Sequence, residues 1–453
     1  MKRIICLFLF LLLITRWVFS QDICNCWIPL DSTFQIVPMT EGPAIKDKGI
    51  APNYRNDDGS TLGIKLPFTF CFYGQSFDTV YINNNGNISF IKPIFSFSPG
   101  KFPYGTDTLM IAPFYSDVDT RPGAGGFGPG YGLVYYKITP TYMIVKWDAV
   151  GYQSFDDDFF NTYQLIITNG TDPILPGGNN VSFCYKDMGW ATSDVSGGFA
   201  GWSGKPATVG VNKGNKINYA QFATFSIPGT TYYGAFAATN GLGWLNNKSF
   251  VFNTCVTGNT IPPVIVNSEQ TCDSLTICAW GTLTVTASFL SPEQGQTSTL
   301  SSSCQGVAGL SITDTNTVNN ISTITVQLAT SANDVGIHVL NLTATDNSSL
   351  LQTTTWPITV IVDVCSGISD PILNNKFSIY PNPGSGNFSI IDSQELQGSR
   401  WAKIYDMLGN IVYSTRLNGI KTEIDLSAKP KGIYFLKLCE KNTLIGVEKI
   451  IIQ

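Results

Sequence analysis

The acid pair in IAPFYSDVDTR, residues 111–121, is either a metal or acid/base site or an ordinary piece of sheet. Asp117 and Asp119 lie two apart behind an apolar and aromatic run. Two neighbouring carboxylates can hold a hard cation, share a proton, or divide acid and base roles across a scissile bond. On a strand, residues i and i+2 point to one face, so two acids there repel unless something neutralises them. Arg121 on the same face, a calcium ion, and water at a strand end are the three available neutralisers. Calcium takes about 6 to 8 oxygens and two carboxylates supply at most about four, so further ligands must come from elsewhere. Asp156, Asp157 and Asp158, in the loop-like QSFDDDFF, are the candidates. The acid/base reading is the weakest, because a glycosidase pair flanks its bond at about 5 Å or more, and neighbours on one strand flank nothing. A structural role, with Arg121 pairing the acids and the acids capping backbone amides, ranks above calcium, and calcium above catalysis.

Other chemistry is thinly supplied. His338 is the only histidine and lies in the strand-like VGIHVLNLTATD, so a nucleophile–imidazole arrangement would have to be built around one sheet residue. The glycine-rich RPGAGGFGPGYG, residues 121–132, opens no helix whose amide terminus could hold a phosphate, and reads as a loop. Aromatic rings are the better clue to binding. Trp190, Trp202, Tyr232, Tyr233 and Trp244 sit in or beside glycine-rich turns, and rings on loops can stack on sugars or anchor a protein partner. Most belong in a core; Trp202, in GFAGWSGK, is the most loop-like, with Trp190 and Trp244 as the other candidates.

The elements that must position these residues are strands. TYMIVKW, NTYQLIIT, LTVTASF, STITVQLAT, WPITVIVDV and GIYFLKL are short, β-branched or aromatic, often alternating, and separated by Gly, Asn, Asp and Pro clusters. No long segment carries a helical period, so the expected fold class is all-β, built from several sandwiches.

Lys2 and Arg3 precede an apolar run from Ile4 to Ile14, and Val18-Phe19-Ser20 supplies small residues at the cleavage positions, so residues 1–20 read as a secretory signal. A membrane-crossing helix needs about 20 apolar residues, and no segment of that kind is expected in the mature chain. Loss of Lys2, Arg3 and Arg16 with the signal takes the 27 basic side chains to 24 against 32 acidic, a net charge of −8. That balance argues against nucleic acid and anionic membrane as partners. Ten cysteines remain after Cys6, and in an oxidising compartment most should be bridged, with a connectivity that spacing cannot give. If Cys439 stands alone in the last domain, at least one upstream thiol is unpaired.

Between Lys248 and Lys376 there is no Lys or Arg, although eight carboxylates fall in that stretch. The composition shift predicts a first domain over 21–256, a middle domain over 257–366, a linker at 367–375 and a basic last domain over 376–453. Asp346, in the ATDN turn of the middle domain, reads first as a turn-forming acid and second as a calcium contact.

Three resemblances add to this. The ordered blocks KLPFTFCFYGQSFDTVYINNNGNISF, IAPFYSDVDTR, GLVYYK, NTYQLIITNG, VSFCYKDMGWATSD and ATVGVNKGNKINYAQF resemble the nidogen-like extracellular domain, called NIDO. That resemblance implies an extracellular module associated with adhesion to matrix or cells, and it brings no catalytic residues. The middle domain, with PPVIVN at one end and HVLNLTATDN and WPITVIVDV at the other, looks like an immunoglobulin-like or HYR-like spacer. The last domain resembles the type A C-terminal sorting domain of the type IX secretion system, carried by FSIYPNPGSGNFSI, AKIYDMLGNIVYS, EIDLS, KGIYFLKL and EKIIIQ. This implies a bacterium of the Bacteroidota, and a segment read by an outer-membrane translocon and commonly removed during export. In a bacterial protein the Asn-X-Ser/Thr triplets, Asn87-Ile-Ser among them, read as turn and strand-edge polarity rather than glycan acceptors. The expected function is a secreted or cell-surface adhesion protein whose ligand is an extracellular protein or glycan, with a carbohydrate-binding accessory protein as the alternative. An enzyme is not expected, and calcium is the one conceivable cofactor.

Overall fold

The computed structural model describes residues 26–42, 54–97, 100–121, 132–153, 156–256, 260–268, 274–364, 377–392, 400–407, 410–417, 419, 421–440 and 443–453. The signal, the glycine-rich loop at 122–131 and the linker lie outside the described residues. The chain divides into two compact units, the first ending at Val364 and the second beginning at Cys365. Both are built from strands, so the all-β expectation holds. No helix of the described residues is long and apolar enough to cross a membrane.

Side-chain alternation explains the layers. In strand Ile64–Phe72, Leu66, Phe68, Phe70 and Phe72 are buried, while Lys65, Pro67 and Thr69 face outward. A period of two buries one face of a sheet and leaves the other wet. This strand edges a seven-stranded sheet that runs through Gln75–Asn83, Asn87–Ser89, Met110–Tyr115, Ala207–Asn212 and Tyr219–Ile227 to Asn240–Gly241. Met110–Tyr115 is the exception to alternation, because all six of its residues are buried. One face of it packs into the main core through Ile111 and Phe114, and the other into a small cluster of Met110, Ala112 and Tyr115 with Ile94 and Phe102.

Opposite lies a larger sheet, eleven-stranded among the described residues. Its path runs Gln35–Ile36, Leu133–Ile138, Tyr142–Tyr152, Asp156–Thr168, Val181–Met188, Lys248–Phe252, Val264–Ser268, Thr282–Leu290, Ile321–Ala329 and Gly309–Val318, with Val118–Asp119 paired onto Tyr142–Tyr152. The near half packs on the seven-stranded sheet around Trp147, Tyr163, Trp190, Phe222 and Phe250. The far half packs on a four-stranded sheet of Ser274–Cys278, Thr353–Asp363, Gly336–Asp346 and Ser298–Cys304, around Trp356, Phe289 and Leu342.

The first and middle domains expected from composition therefore meet within one sheet. Strands Lys248–Phe252 and Val264–Ser268 lie on either side of residue 256 and pair antiparallel, with Phe250 opposite Val266. The second of them pairs on with Thr282–Leu290. Each works on both faces: Phe250, Phe252, Val264 and Val266 enter the first core, while Val251 and Ile265 enter the second. Burying an aliphatic side chain of this size stabilises by about 1.5–3 kcal/mol, so both cores depend on the same pair of strands.

Two disulfides staple the first lobe. Cys26 bonds to Cys184, and Cys71 to Cys255. Cys278 is also bridged, whereas Cys304, half-buried at the end of its strand, is a free thiol. Cys24, Cys272 and Cys365 lie outside the described residues.

The second unit packs a three-stranded sheet (Phe377–Tyr380, Asn387–Asp392, Lys421–Asp425) on a four-stranded one (Ile411–Arg416, Arg400–Tyr405, Gly432–Glu440, Thr443–Ile452). Phe388, Ile390, Ile404, Leu436 and Ile450 fill the space between them.

Candidate functional site

Strand Met110–Tyr115 ends just before the acid pair, and the chain bends at Ser116 and Asp117 before re-entering a sheet as Val118–Asp119. Neighbouring elements fix the bend. The Ser116 hydroxyl donates to the Ala191 carbonyl at 2.8 Å, and the Val118 amide donates to Asn85 Oδ1 at 2.9 Å. Asn85 belongs to the turn Asn84-Asn85-Gly86, where Gly86 has φ +72° and an added Cβ would lie 1.8 Å from the Phe114 carbonyl oxygen. Glycine alone fits that close approach.

A third segment completes the cluster. Asn56-Asp57-Asp58-Gly59 forms a turn in which Asp58 adopts φ +61°. It is pinned from both sides: the Asn56 amide donates to Thr120 Oγ1 at 2.7 Å, and Asn85 Nδ2 donates to Asp58 Oδ1 at 2.7 Å. An isolated bridge joins Asp57 to Asp119. Residues far apart in sequence thus bring four carboxylates, Asp57, Asp58, Asp117 and Asp119, into one cluster.

Arg121 divides this group. Its Nε donates to Asp119 Oδ1 at 2.9 Å and its Nη2 to Asp119 Oδ2 at 2.6 Å, a two-pronged pairing, while Nη2 also reaches Asp57 Oδ2 at 2.7 Å. Asp117 is turned the other way and accepts the Ser193 hydroxyl on Oδ2 at 2.5 Å. One carboxylate oxygen from each of Asp57, Asp58 and Asp117 lies within 4.8 Å of the other two. Burial pushes the Asp117 carboxyl up to about 8 against the pull of the Ser193 hydrogen bond. It pushes Asp57 up to about 7, with Asp119 and Asp58 adding to the rise and Arg121 opposing it. Asp58 is raised too, chiefly by burial.

The shared strand face expected for Asp117 and Asp119 is not what forms: the bend separates them, and only Asp119 lies in a strand. Arg121 neutralises Asp119 and Asp57. Asp156, Asp157 and Asp158 open strand Asp156–Thr168, and their side chains lie outside the described residues. Sequence reading missed Asp57 and Asp58; the signal was Asn-Asp-Asp-Gly, which by itself spells a turn.

The aromatic candidates separate clearly. Trp190 is 0 % exposed, with its indole donating to the Val150 carbonyl at 2.9 Å and its ring edge-on to Phe114, so it is a core residue and no binding platform. Its neighbouring glycine marks a close approach of backbones, because a Cβ at Gly189 would lie 2.9 Å from the Phe160 carbonyl oxygen. Trp202 is half-buried against the same core and bridged to Phe199. Trp244 stacks on Tyr232 with ring centres 4.1 Å apart. That pair lines an open groove of about 320 Å³ with Thr230, Asn316, Asn319 and Thr323. Among the described residues the rings most open to solvent, Phe199 at 81 % and Trp280 at 78 %, were not singled out from sequence.

Elsewhere, His338 has Nε2 2.6 Å from the Asp334 carbonyl oxygen and Nδ1 3.2 Å from that of Gln305, so its ring is held by backbone. Asp346 closes its turn, accepting the Gln352 amide at 2.9 Å and the Ser348 hydroxyl at 2.8 Å.

Two families account for the ends of this architecture. Residues 33–227 match the model described as NIDO related, and residues 378–453 match the secretion system C-terminal sorting domain. The chain carries an NIDO-related domain and a type IX sorting domain, and is a secreted or cell-surface protein. Alpha-tectorin of Gallus gallus is 33 % identical over 195 residues, covering 38 % of this chain and 9 % of that protein. Alpha-tectorin of Homo sapiens is 31 % identical over 197 residues, covering 38 % and 8 %. Nidogen of Drosophila melanogaster is 25 % identical over 162 residues, covering 31 % and 12 %. The chain thus spans roughly a tenth of the length of each of these relatives.

Proposed function

We propose that the exported chain is a bacterial adhesin whose first lobe binds an extracellular protein, with the middle lobe as its spacer and residues 378–453 as the segment read by the translocon. The observation that carries this reading is the joining, in one polypeptide, of an NIDO-related domain and an export address. Neither is a catalytic family, and Asp57 and Asp119 are paired with Arg121 instead of facing each other across an opening. Stacked sheets make a rigid support from which exposed rings such as Phe199 can reach a partner, and rigid aromatics give large contact area at low entropic cost. Cells lacking the gene should attach to protein-coated surfaces less well than the parent, with attachment restored by the intact gene and not by one lacking residues 33–227. Equal attachment by mutant and parent would remove the reading.

A second reading rests on the groove of Trp244 and Tyr232. An indole with neighbouring Asn and Thr side chains suits a sugar, and would make the chain a polysaccharide-capture protein. A glycan array separates the two: protein adhesion leaves it blank, whereas carbohydrate capture gives signals that Trp244→Ala abolishes.

A further inference from the structure

We propose that Asp57, Asp58 and Asp117 form a binding site for one hard divalent cation, calcium by its donor set, on the first lobe. The site is independent of what the lobe adheres to, and it differs from the set expected from sequence. Asp119 drops out because both its oxygens are taken by Arg121.

Clustered acids by themselves say little, since exposed carboxylates tolerate one another in water. These are not exposed. Asp117 is 0 % and Asp57 9 % exposed, and Oδ1 of each is a buried oxygen with no hydrogen-bond partner. In both residues the other oxygen is already committed, Asp117 Oδ2 to Ser193 and Asp57 Oδ2 to Arg121. A buried, unpartnered carboxylate oxygen costs several kcal/mol unless a charge or a donor meets it. The guanidinium of Arg121 bonds three of the four oxygens of Asp57 and Asp119 and no oxygen of Asp117 or Asp58. A divalent ion between Asp57, Asp58 and Asp117, whose carboxylates bring one oxygen each within 4.8 Å of the others, supplies the missing charge.

The donors identify the ion. All three ligands are carboxylates, with no imidazole or thiolate among them, which suits calcium or magnesium over zinc or copper. Calcium accepts irregular geometry and 6 to 8 oxygens, whereas magnesium demands a tight octahedron. Ligands from one turn and a bend fit the former. Asn56, in the same turn, and Asn84, beside Asn85 in the neighbouring one, also carry buried side-chain oxygens without partners. Extracellular modules bind calcium at about 10⁻⁴ to 10⁻³ M, and an exported protein meets it there.

The test uses the full chain, stripped with EDTA and titrated with calcium chloride by calorimetry, alongside Asp58→Asn and Asp117→Asn, with circular dichroism confirming the fold of each. Asp58 is half-buried, so its variant reads the site without opening the core. We expect saturable binding by the native chain, a melting temperature raised by calcium, and at least a tenfold weaker affinity in Asp58→Asn together with loss of the thermal shift. Absence of binding at about 10 mM, well above the range for such modules, would overturn the site: protons or water would then satisfy the free oxygens. Unchanged binding in Asp58→Asn would overturn it equally, by placing the ion elsewhere. Tighter binding of magnesium than calcium would overturn the choice of ion.

Discussion

The Ser193 hydroxyl donates to Asp117 Oδ2 at 2.5 Å and leaves Oδ1 of the same carboxylate without a partner. Ser193 also caps the short helical turn Asp194–Ser196, its side chain accepting the Ser196 amide at 3.3 Å. One hydroxyl thus holds both the acid and the loop beside it. Ser193→Ala should cost about 1–3 kcal/mol, combining an orphaned buried acceptor with a lost cap. Chemical denaturation measures it, and an unchanged midpoint would mean that Asp117 finds another donor.

Removing Arg121 should be worse. It is the cation paired with Asp57 and Asp119, and the Asp119 side chain is fully buried. Breaking a buried pair from one side costs about 3–5 kcal/mol because the remaining charge has no counter-ion. Arg121→Met should show that loss in denaturation, and adding Asp119→Asn should recover part of it. Equal stability of the single and double variants would contradict the pairing.

Glu293 predicts a pH dependence. Its Oε1 accepts the Ile261 amide at 2.6 Å, and its Oε2 is buried without a partner. Burial pushes its carboxyl up to about 8, with Asp346 adding to the rise and the Ile261 and Gln296 hydrogen bonds opposing it. Tyr73 also faces it, its hydroxyl raised by burial and then by Glu293. In the unfolded chain a glutamate ionises near pH 4.3. Between that value and about 8 the folded state holds the extra proton, so stability falls as pH rises and is lowest above 8. Asp57 and Asp117 slope the same way, so the test is the difference between native chain and Glu293→Gln. The variant should lose less stability from pH 6 to pH 9, and parallel profiles would contradict the assignment.

The shared strands predict cooperativity. Because Lys248–Phe252 and Val264–Ser268 feed both cores, the first unit should unfold in one calorimetric transition. Ile265→Ala, at a fully buried position in the second core, should cost about 2–5 kcal/mol and lower that transition as a whole. Two separate transitions, with only one moved by the substitution, would contradict it.

What was legible in the sequence followed from local rules. Alternation in strands such as Ile64–Phe72 and the signature blocks of the last domain are short-range signals, and they gave the fold class and the export address. The sheet that spans residue 256 was not legible, because composition marks a change of surface charge, and pairing between Phe250 and Val266 leaves no local mark. Trp190 read as a loop ring because glycine flanks it, yet that glycine serves a close backbone approach beneath a buried indole. Asp117 was found and its partners were not: Asp57 and Asp58 sit in a turn about 60 residues upstream, and only the tertiary fold brings the two segments together.

The most direct measurement of the account is binding of the purified exported chain to surfaces coated with extracellular protein, before and after those surfaces are treated with protease or with glycosidases. Adhesion through the first lobe predicts saturable binding that protease abolishes, glycosidases leave intact, and deletion of residues 33–227 removes. Binding that survives protease and disappears with the glycans, or no binding at all, would contradict it.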